Sequence, residues 1–164
     1  MKFFLKILAL NLFFFCSLSF ASGQIVKYKM YDGKNKFTGF ATIIYDEKGS
    51  ITDYNGVRYT QVTENGQTTI MTGEVKTYIK TADKYWHTLG VGVMRNCVIT
   101  TSEGERGLLH QSLLGTNKGT RHYEETVYIA GKLVSHAETF VDEKDQIIVS
   151  TIKNGSDTIK MVRQ

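Results

Sequence analysis

Short runs of alternating apolar and polar residues, separated by tight-turn signals, extend through most of the sequence. The run from Val26 to Met30 alternates apolar residues with lysines, which is the pattern of a strand with one face in water. Asn55-Gly56 and Asn65-Gly66 each separate two such runs, and Asn-Gly is the strongest two-residue hairpin signal. The sequence has no proline and no helical periodicity of ordinary helix length. The pattern therefore predicts an all-β chain built from local hairpins.

The sequence pattern does not decide the local structure of two stretches. Residues 108–114 place Leu109 and Leu113 four positions apart, which fits either a two-turn helix or a strand. Residues 86–101 are long enough for one bent strand or two strands, and their internal glycines are typical of a bulge.

A charged turn occurs twice. The segment from Tyr45 to Ile51 resembles the segment from Val141 to Ile147, since each has an apolar strand end, an Asp-Glu-Lys turn and a new isoleucine. We expect both segments to form the same kind of hairpin turn.

A chain of about 8–10 short strands must leave no long unpaired edge, and a closed barrel or a two-sheet β-sandwich achieves this. The hairpins are local throughout, which favours a single antiparallel up-and-down barrel. In outline the size and strand number resemble the lipocalin and fatty-acid-binding group, although the Gly-x-Trp signature of that group near its first strand is absent here.

A transmembrane barrel is a rival, because the chain carries an export signal. It is disfavoured by lysines that alternate with apolar residues, since a small lumen could not hold many of them. These lysines are Lys27, Lys29, Lys76, Lys80 and Lys153.

Residues 1–21 have the layout of a cleavable signal peptide. Lys2 and Lys6 precede or flank an apolar run too short to span a bilayer, and small residues follow it. Cleavage after Ala21 satisfies the small-x-small rule, with Gly23 as the alternative site. The bulky Phe13–Phe15 segment disfavours lipid attachment at Cys16. We expect residues 22–164 to form one domain, secreted or periplasmic, that does not span a membrane.

Removal of the signal changes the composition of the chain. It takes away two lysines and no acid, so the formal net charge falls from +4 to +2. The remaining Lys and Arg residues are scattered, which argues against nucleic-acid binding. Cys97 is the only cysteine left in the domain, so no internal disulfide can form, and its apolar strand predicts a buried thiol.

The sequence offers no recognised catalytic or metal motif. The four histidines, at 87, 110, 122 and 136, lack metal-ligand spacing, and no Gly-x-Ser-x-Gly elbow is present. Glu124 and Glu125 are neighbours on a predicted strand, so their side chains should face opposite sides. We therefore expect no metal and no cofactor.

Aromatic and polar residues cluster in two places that suit a small ligand inside a barrel. Tyr85-Trp86-His87 contains the only tryptophan, and Arg121-His122-Tyr123 is similar in character. The alternative, slightly favoured for Trp86, is that its side chain fills the barrel core. The candidate ligand-binding residues are Tyr59, Tyr85, Trp86, His87, Arg95, His110, Arg121 and Tyr123.

Three functional hypotheses follow. The first is an exported barrel that binds a small, partly apolar or aromatic ligand in an internal cavity. The second is an envelope or secreted protein-binding module of the inhibitor, immunity or adhesion type, with a solid core. The third is a small-barrel enzyme with a histidine as its acid–base group, which nothing in the residue spacing supports.

Overall fold

The computed structural model describes residues 23–83, 94–144 and 146–164, and the elements found there are all β-strands. The strands are β1 (Gln24–Asp32), β2 (Phe37–Tyr45), β3 (Gly49–Tyr54), β4 (Val57–Glu64), β5 (Gln67–Thr72), β6 (Val75–Asp83), β7 (Met94–Thr101), β8 (Arg106–Asn117), β9 (Thr120–Ile129), β10 (Lys132–Val141), β11 (Ile147–Asn154) and β12 (Asp157–Arg163). No helix long and apolar enough to cross a membrane occurs within these ranges.

The strands form one closed antiparallel barrel. Each strand pairs with its neighbours in the sequence, and β1 pairs with β12 to complete the circle. The closing ladder matches Tyr28 with Arg163 and Met30 with Met161. The predicted barrel is confirmed, and the β-sandwich alternative is not what forms. The described chain has twelve strands because every alternating run became a strand of its own.

The ambiguous stretch at residues 108–114 is a strand. It lies within β8, which pairs with β7 on one side and β9 on the other. The helix alternative is therefore wrong, since both neighbours satisfy the backbone groups that a helix would have bonded internally. The register of β8 against β9 shifts between Leu113 and Gly115, which is a bulge.

The predicted Asn-Gly hairpins form with the backbone that these residues favour. Asn55 and Gly56 have φ values of 49° and 76°, and Asn65 and Gly66 have φ values of 52° and 75°. Positive φ at both central residues is the type I′ turn, whose twist matches that of paired strands.

The two similar charged turns also share their geometry. The Oδ1 atom of Asp46 accepts the backbone N–H groups of Lys48 and Gly49, each at 2.8 Å. The Oδ1 atom of Asp142 accepts those of Lys144 at 2.9 Å and Gln146 at 3.0 Å. In each turn, the aspartate side chain therefore accepts backbone N–H groups that would otherwise need a backbone carbonyl.

Apolar side chains fill the barrel interior in two clusters. The larger cluster spans β1–β4 and β10–β12 and includes Tyr28, Ile43, Tyr45 and Ile152. The smaller cluster lies on the opposite wall and includes Cys97, whose predicted burial is confirmed.

Polar residues share the interior with these clusters, and the lysines lie outside. The buried polar residues are mainly threonines, serines and amides, together with Glu125. Glu125 accepts a hydrogen bond from the Nε2 atom of Gln111 at 2.5 Å, whereas Glu124 binds His136 on the outer face. The two glutamates thus face opposite sides, as predicted. The five alternating lysines are exposed on the outer surface, which excludes the alternative that they fill a lumen.

The two ends of the barrel differ. One end carries the turns at residues 33–36, 55–56 and 155–156, and we call it the mouth end. The other end carries the turns at residues 46–48 and 142–146, and we call it the base end.

Gly49 provides a test of strand packing at the base end. A Cβ atom at Gly49 would lie 1.9 Å from the backbone oxygen of Gln61 on β4. Gly49→Ala must therefore displace a paired strand, and we expect it to lower the free energy of unfolding by about 2 kcal/mol. Urea denaturation measures this change.

Gly115→Ala is the matched control. A Cβ atom at Gly115 would meet no atom within 4 Å, so its effect should stay within about 0.5 kcal/mol. Equal losses of stability in the two variants would contradict the packing described here.

Candidate functional site

A cavity of about 750 Å³ opens at the mouth end of the barrel, and we call it the mouth cavity. Three turns and the strand ends beside them form its walls. Its lining residues are Asp32, Gly33, Lys34, Tyr54, Asn55, Val57, Tyr59, Asn154, Ser156, Asp157, Thr158 and Ile159. The volume is within the ordinary range for small-molecule sites.

The apolar wall of the mouth cavity comes from the β3–β4 hairpin and from β12. Tyr54 and Val57 flank the Asn55-Gly56 turn, and their side chains pack against the larger core cluster together with Ile159. Tyr59 is more deeply placed, with 7% of its surface exposed. Burial, together with the neighbouring Tyr54, raises the pKa of Tyr59. The phenol therefore stays neutral and can donate a hydrogen bond at ordinary pH.

The polar feature of the mouth cavity is Asn154, at the end of β11. A residue next to a hairpin turn usually faces water. Asn154, however, has only 7% of its surface exposed. Its Oδ1 atom has no hydrogen-bond partner among the described residues. A buried acceptor without a donor costs free energy, so a donor brought by a ligand or water would be bound favourably by Asn154.

The rim of the mouth cavity carries charges of both signs. Asp32 ends β1, Lys34 lies in the turn that follows it, and Asp157 begins β12. The Oδ1 atom of Asp32 accepts the backbone N–H groups of Lys34 and Lys36, both at 2.9 Å. This carboxylate is therefore held within its own turn.

The candidate residues from the sequence do not form one site. Tyr59 lines the mouth cavity, whereas Arg121 and Tyr123 are on β9 towards the base end. Arg95 is on β7 with its backbone opposite Gln111. Tyr85, Trp86 and His87 lie outside the described residues.

His110 lies on the outer face of the barrel, in a groove of about 450 Å³ that we call the outer groove. Its Nδ1 atom donates to Asn96 Oδ1, and its ring meets Tyr128 edge to face at a centroid distance of 5.5 Å. The backbone register aligns apolar residues of β7 to β10 across this face in the order Val98, Leu108, Tyr128 and Leu133.

An ion pair at the base end joins the β10–β11 turn to β12. Arg163 binds the Oδ2 atom of Asp142, and Arg121 donates to the backbone oxygen of Asp142 at 3.1 Å. Burial alone would raise the pKa of Asp142, but the hydrogen bonds from Arg163 and the turn N–H groups outweigh it and lower that pKa. These contacts fasten the β10–β11 turn to β9 and β12.

Below this ion pair, the hydroxyl groups of Tyr28 and Tyr45 are 3.2 Å apart in the core. Burial raises the pKa of Tyr28 to about 12 and also raises that of Tyr45. Both phenols therefore remain neutral and belong to the core.

Sequence reasoning missed Asn154 and Tyr54 as site residues. Asn154-Gly155 is itself an Asn-Gly hairpin signal, and that signal alone accounts for an asparagine at this position. The only other indication of a role for Asn154 at the site is that it lies beside the Asn55-Gly56 turn in the closed barrel, and this proximity is visible only in the tertiary structure.

No protein-family model and no curated protein sequence matches this chain. Among solved structures, the chain is similar to a crystal structure from Bacteroides fragilis NCTC 9343, described as a "putative exported protein with YmcC-like fold". The two share 11% sequence identity, the match covers 90% of this chain and 98% of the other, and the TM-score is 0.43.

The lowered pKa of Asp142 predicts a specific loss of stability in acid. A carboxyl whose pKa is lower in the folded state stabilises that state above its ordinary pKa of 3.8, and the contribution is lost as the pH falls through the folded pKa. Asp142→Asn should therefore lower the free energy of unfolding at neutral pH by about 1 kcal/mol and weaken its decline in acid. Urea unfolding between about pH 7 and about pH 3 measures both effects.

Asp46→Asn is the matched control, because Asp46 makes the same turn but is not held by an arginine among the described ion pairs. A comparison of the two variants separates the effect of the arginine from that of the turn hydrogen bonds, and the weakened decline in acid should be larger for Asp142→Asn. Parallel curves for Asp142→Asn and the unaltered protein would show that the ion pair does not contribute.

Proposed function

We propose that this protein is an exported β-barrel that binds a small, partly apolar ligand in the mouth cavity. The observation that carries the proposal is the buried Asn154 amide oxygen, for which the described residues supply no donor, in a cavity walled by Tyr54 and Tyr59. A pocket with a mainly apolar wall and one or two convergent polar groups is the usual form of a small-molecule site.

The lining limits the chemistry of the ligand. An aromatic or aliphatic body would pack against Tyr54, Val57 and Tyr59, and a hydroxyl or amine hydrogen would be donated to Asn154. The rim carries Lys34 as well as two aspartates, so no strong preference for one sign of charge follows. We therefore expect a neutral or zwitterionic molecule with an apolar part.

Export is supported by the sequence of residues 1–21. Their basic start, short apolar run and small residues before the cleavage position are the parts of a signal peptide. The protein would meet its ligand in the periplasm or outside the cell.

The alternative of a protein-binding module is favoured by the outer groove. Leu108 in the groove is about half exposed, and so is Leu133, which lies beside the groove with its backbone opposite Tyr128. Exposed apolar rows of this kind mark interaction surfaces in many proteins. None of the three described histidines is among the lining residues of the mouth cavity.

Asn154→Leu tests the ligand site. It removes the acceptor while keeping the size of the side chain, so it should weaken binding about tenfold, the effect of one lost hydrogen bond. The variant should fold at least as stably as the unaltered protein, because a buried acceptor without a donor is removed. Calorimetric titration with neutral aromatic alcohols, amines and monoacylglycerols measures binding, and thermal unfolding measures stability.

Leu108→Ser, in the outer groove, is the control and should bind every probe as the unaltered protein does. Absence of heat with all the probes would refute the proposed function. Weakened binding in Leu108→Ser alone would instead place the ligand in the outer groove.

A further inference from the structure

Three aromatic side chains form an exposed group on the outer face of β1 and β2, close to the mouth end. The rings of Phe37 and Phe40 meet edge to face at 5.0 Å, and Tyr31 meets Phe37 at 6.0 Å. Phe37 and Phe40 are 47% and 56% exposed. We call Tyr31, Phe37 and Phe40 the aromatic patch.

A backbone irregularity creates this patch. Residues three apart on a regular strand face opposite sides, so Phe37 and Phe40 should be separated by the sheet. The register between β1 and β2 shifts, however, because Met30 pairs with Gly39 while Tyr31 pairs with Phe37. Gly39 has a φ of 147°, which favours glycine. This bulge turns both phenylalanines outward.

Four lysines surround the aromatic patch. Lys29 lies directly opposite Phe40, and Lys160 lies directly opposite Tyr31. Lys34 and Lys36 are exposed in the turn that precedes Phe37. None of these four ammonium groups forms an ion pair with a described residue.

The nearby carboxylates offset only part of this positive charge. Asp32, whose Oδ1 atom accepts the backbone N–H groups of Lys34 and Lys36, supplies one negative charge against the four lysines. Asp53, on β3, is bound to Arg58 at 2.9 Å. The surface around the patch therefore combines large apolar side chains with an excess of uncompensated positive charge.

We propose that the aromatic patch and its four lysines dock the barrel peripherally onto an anionic phospholipid surface. The phenylalanine rings would enter the boundary between headgroups and acyl chains, the level where amphipathic surfaces bind. The lysines would reach the phosphates around them, and their flexible stems can lie along apolar surface while the ammonium groups stay in water.

A bilayer fits this surface better than an acidic protein does. Protein–protein interfaces are depleted in lysine, because fixing and desolvating its side chain is costly. Basic residues combined with exposed large apolar side chains are instead typical of amphipathic helices that lie in the membrane interface. The proposal is independent of the ligand site, although docking through this face would bring the mouth cavity close to the membrane.

Vesicle co-sedimentation of the purified protein tests the proposal. We expect binding to vesicles of phosphatidylcholine mixed with phosphatidylglycerol, and little binding to phosphatidylcholine alone. Each lysine near an anionic surface contributes about a fivefold gain in partitioning. Lys29→Gln combined with Lys36→Gln should therefore reduce partitioning by about 25-fold, and Phe37→Ser combined with Phe40→Ser should abolish sedimentation.

The matched controls lie on other parts of the barrel. Lys76→Gln with Lys153→Gln removes the same charge, and Leu108→Ser with Leu133→Ser removes similar apolar area. Both should sediment almost as the unaltered protein does, and all variants should keep their unfolding temperature because the altered side chains are exposed.

Equal binding to neutral and anionic vesicles would overturn the proposal, and so would equal losses in the patch variants and the controls. Retention on a poly-glutamate column without any vesicle binding would also overturn it, because that result indicates an acidic protein partner.

Discussion

The pairing of β1 with β12 is the contact on which the rest of the structure depends. It gives every strand two hydrogen-bonded neighbours, so the described sheet has no exposed edge. The mouth end of the barrel relies on it. The mouth cavity is formed where β12 brings Ile159 to the β3–β4 hairpin, which is distant in the sequence. Without closure, these two parts of the chain would not meet and the cavity would not exist.

The fold class follows from local information in the sequence. Asn55-Gly56 and Asn65-Gly66 specify their turns by their own backbone preferences, and the alternating runs specify the strands. Where apolar residues occupy consecutive positions of a strand, local information does not specify which side chain points into the barrel and which points out. Leu108 is about half exposed while Leu109 is fully buried, and nothing in their sequence context separates them. His110 points outward because its neighbour Leu109 points into the barrel.

The candidate site was less predictable than the fold, for two physical reasons. The interior contains polar residues such as Gln111 and Glu125, so burial does not follow hydrophobicity. The bulge opposite Met30 also breaks the two-residue period, which is why Phe37 and Phe40 share a face. Tyr59 could be selected as an amphipathic aromatic residue, but Asn154 becomes a site residue only when distant turns meet at the mouth end.

Closure also imposes an order on folding. All the other ladders join strands that are neighbours in the sequence and can form as soon as each hairpin is available. The β1–β12 ladder joins opposite ends of the described chain, so β1 must keep one side unpaired until β12 arrives. During that interval the chain is an open meander with two unprotected edges, the form most prone to pair with another chain. The exposed lysines at positions 27 and 29 of β1 lie on that waiting strand, where their charge would discourage association before the barrel closes.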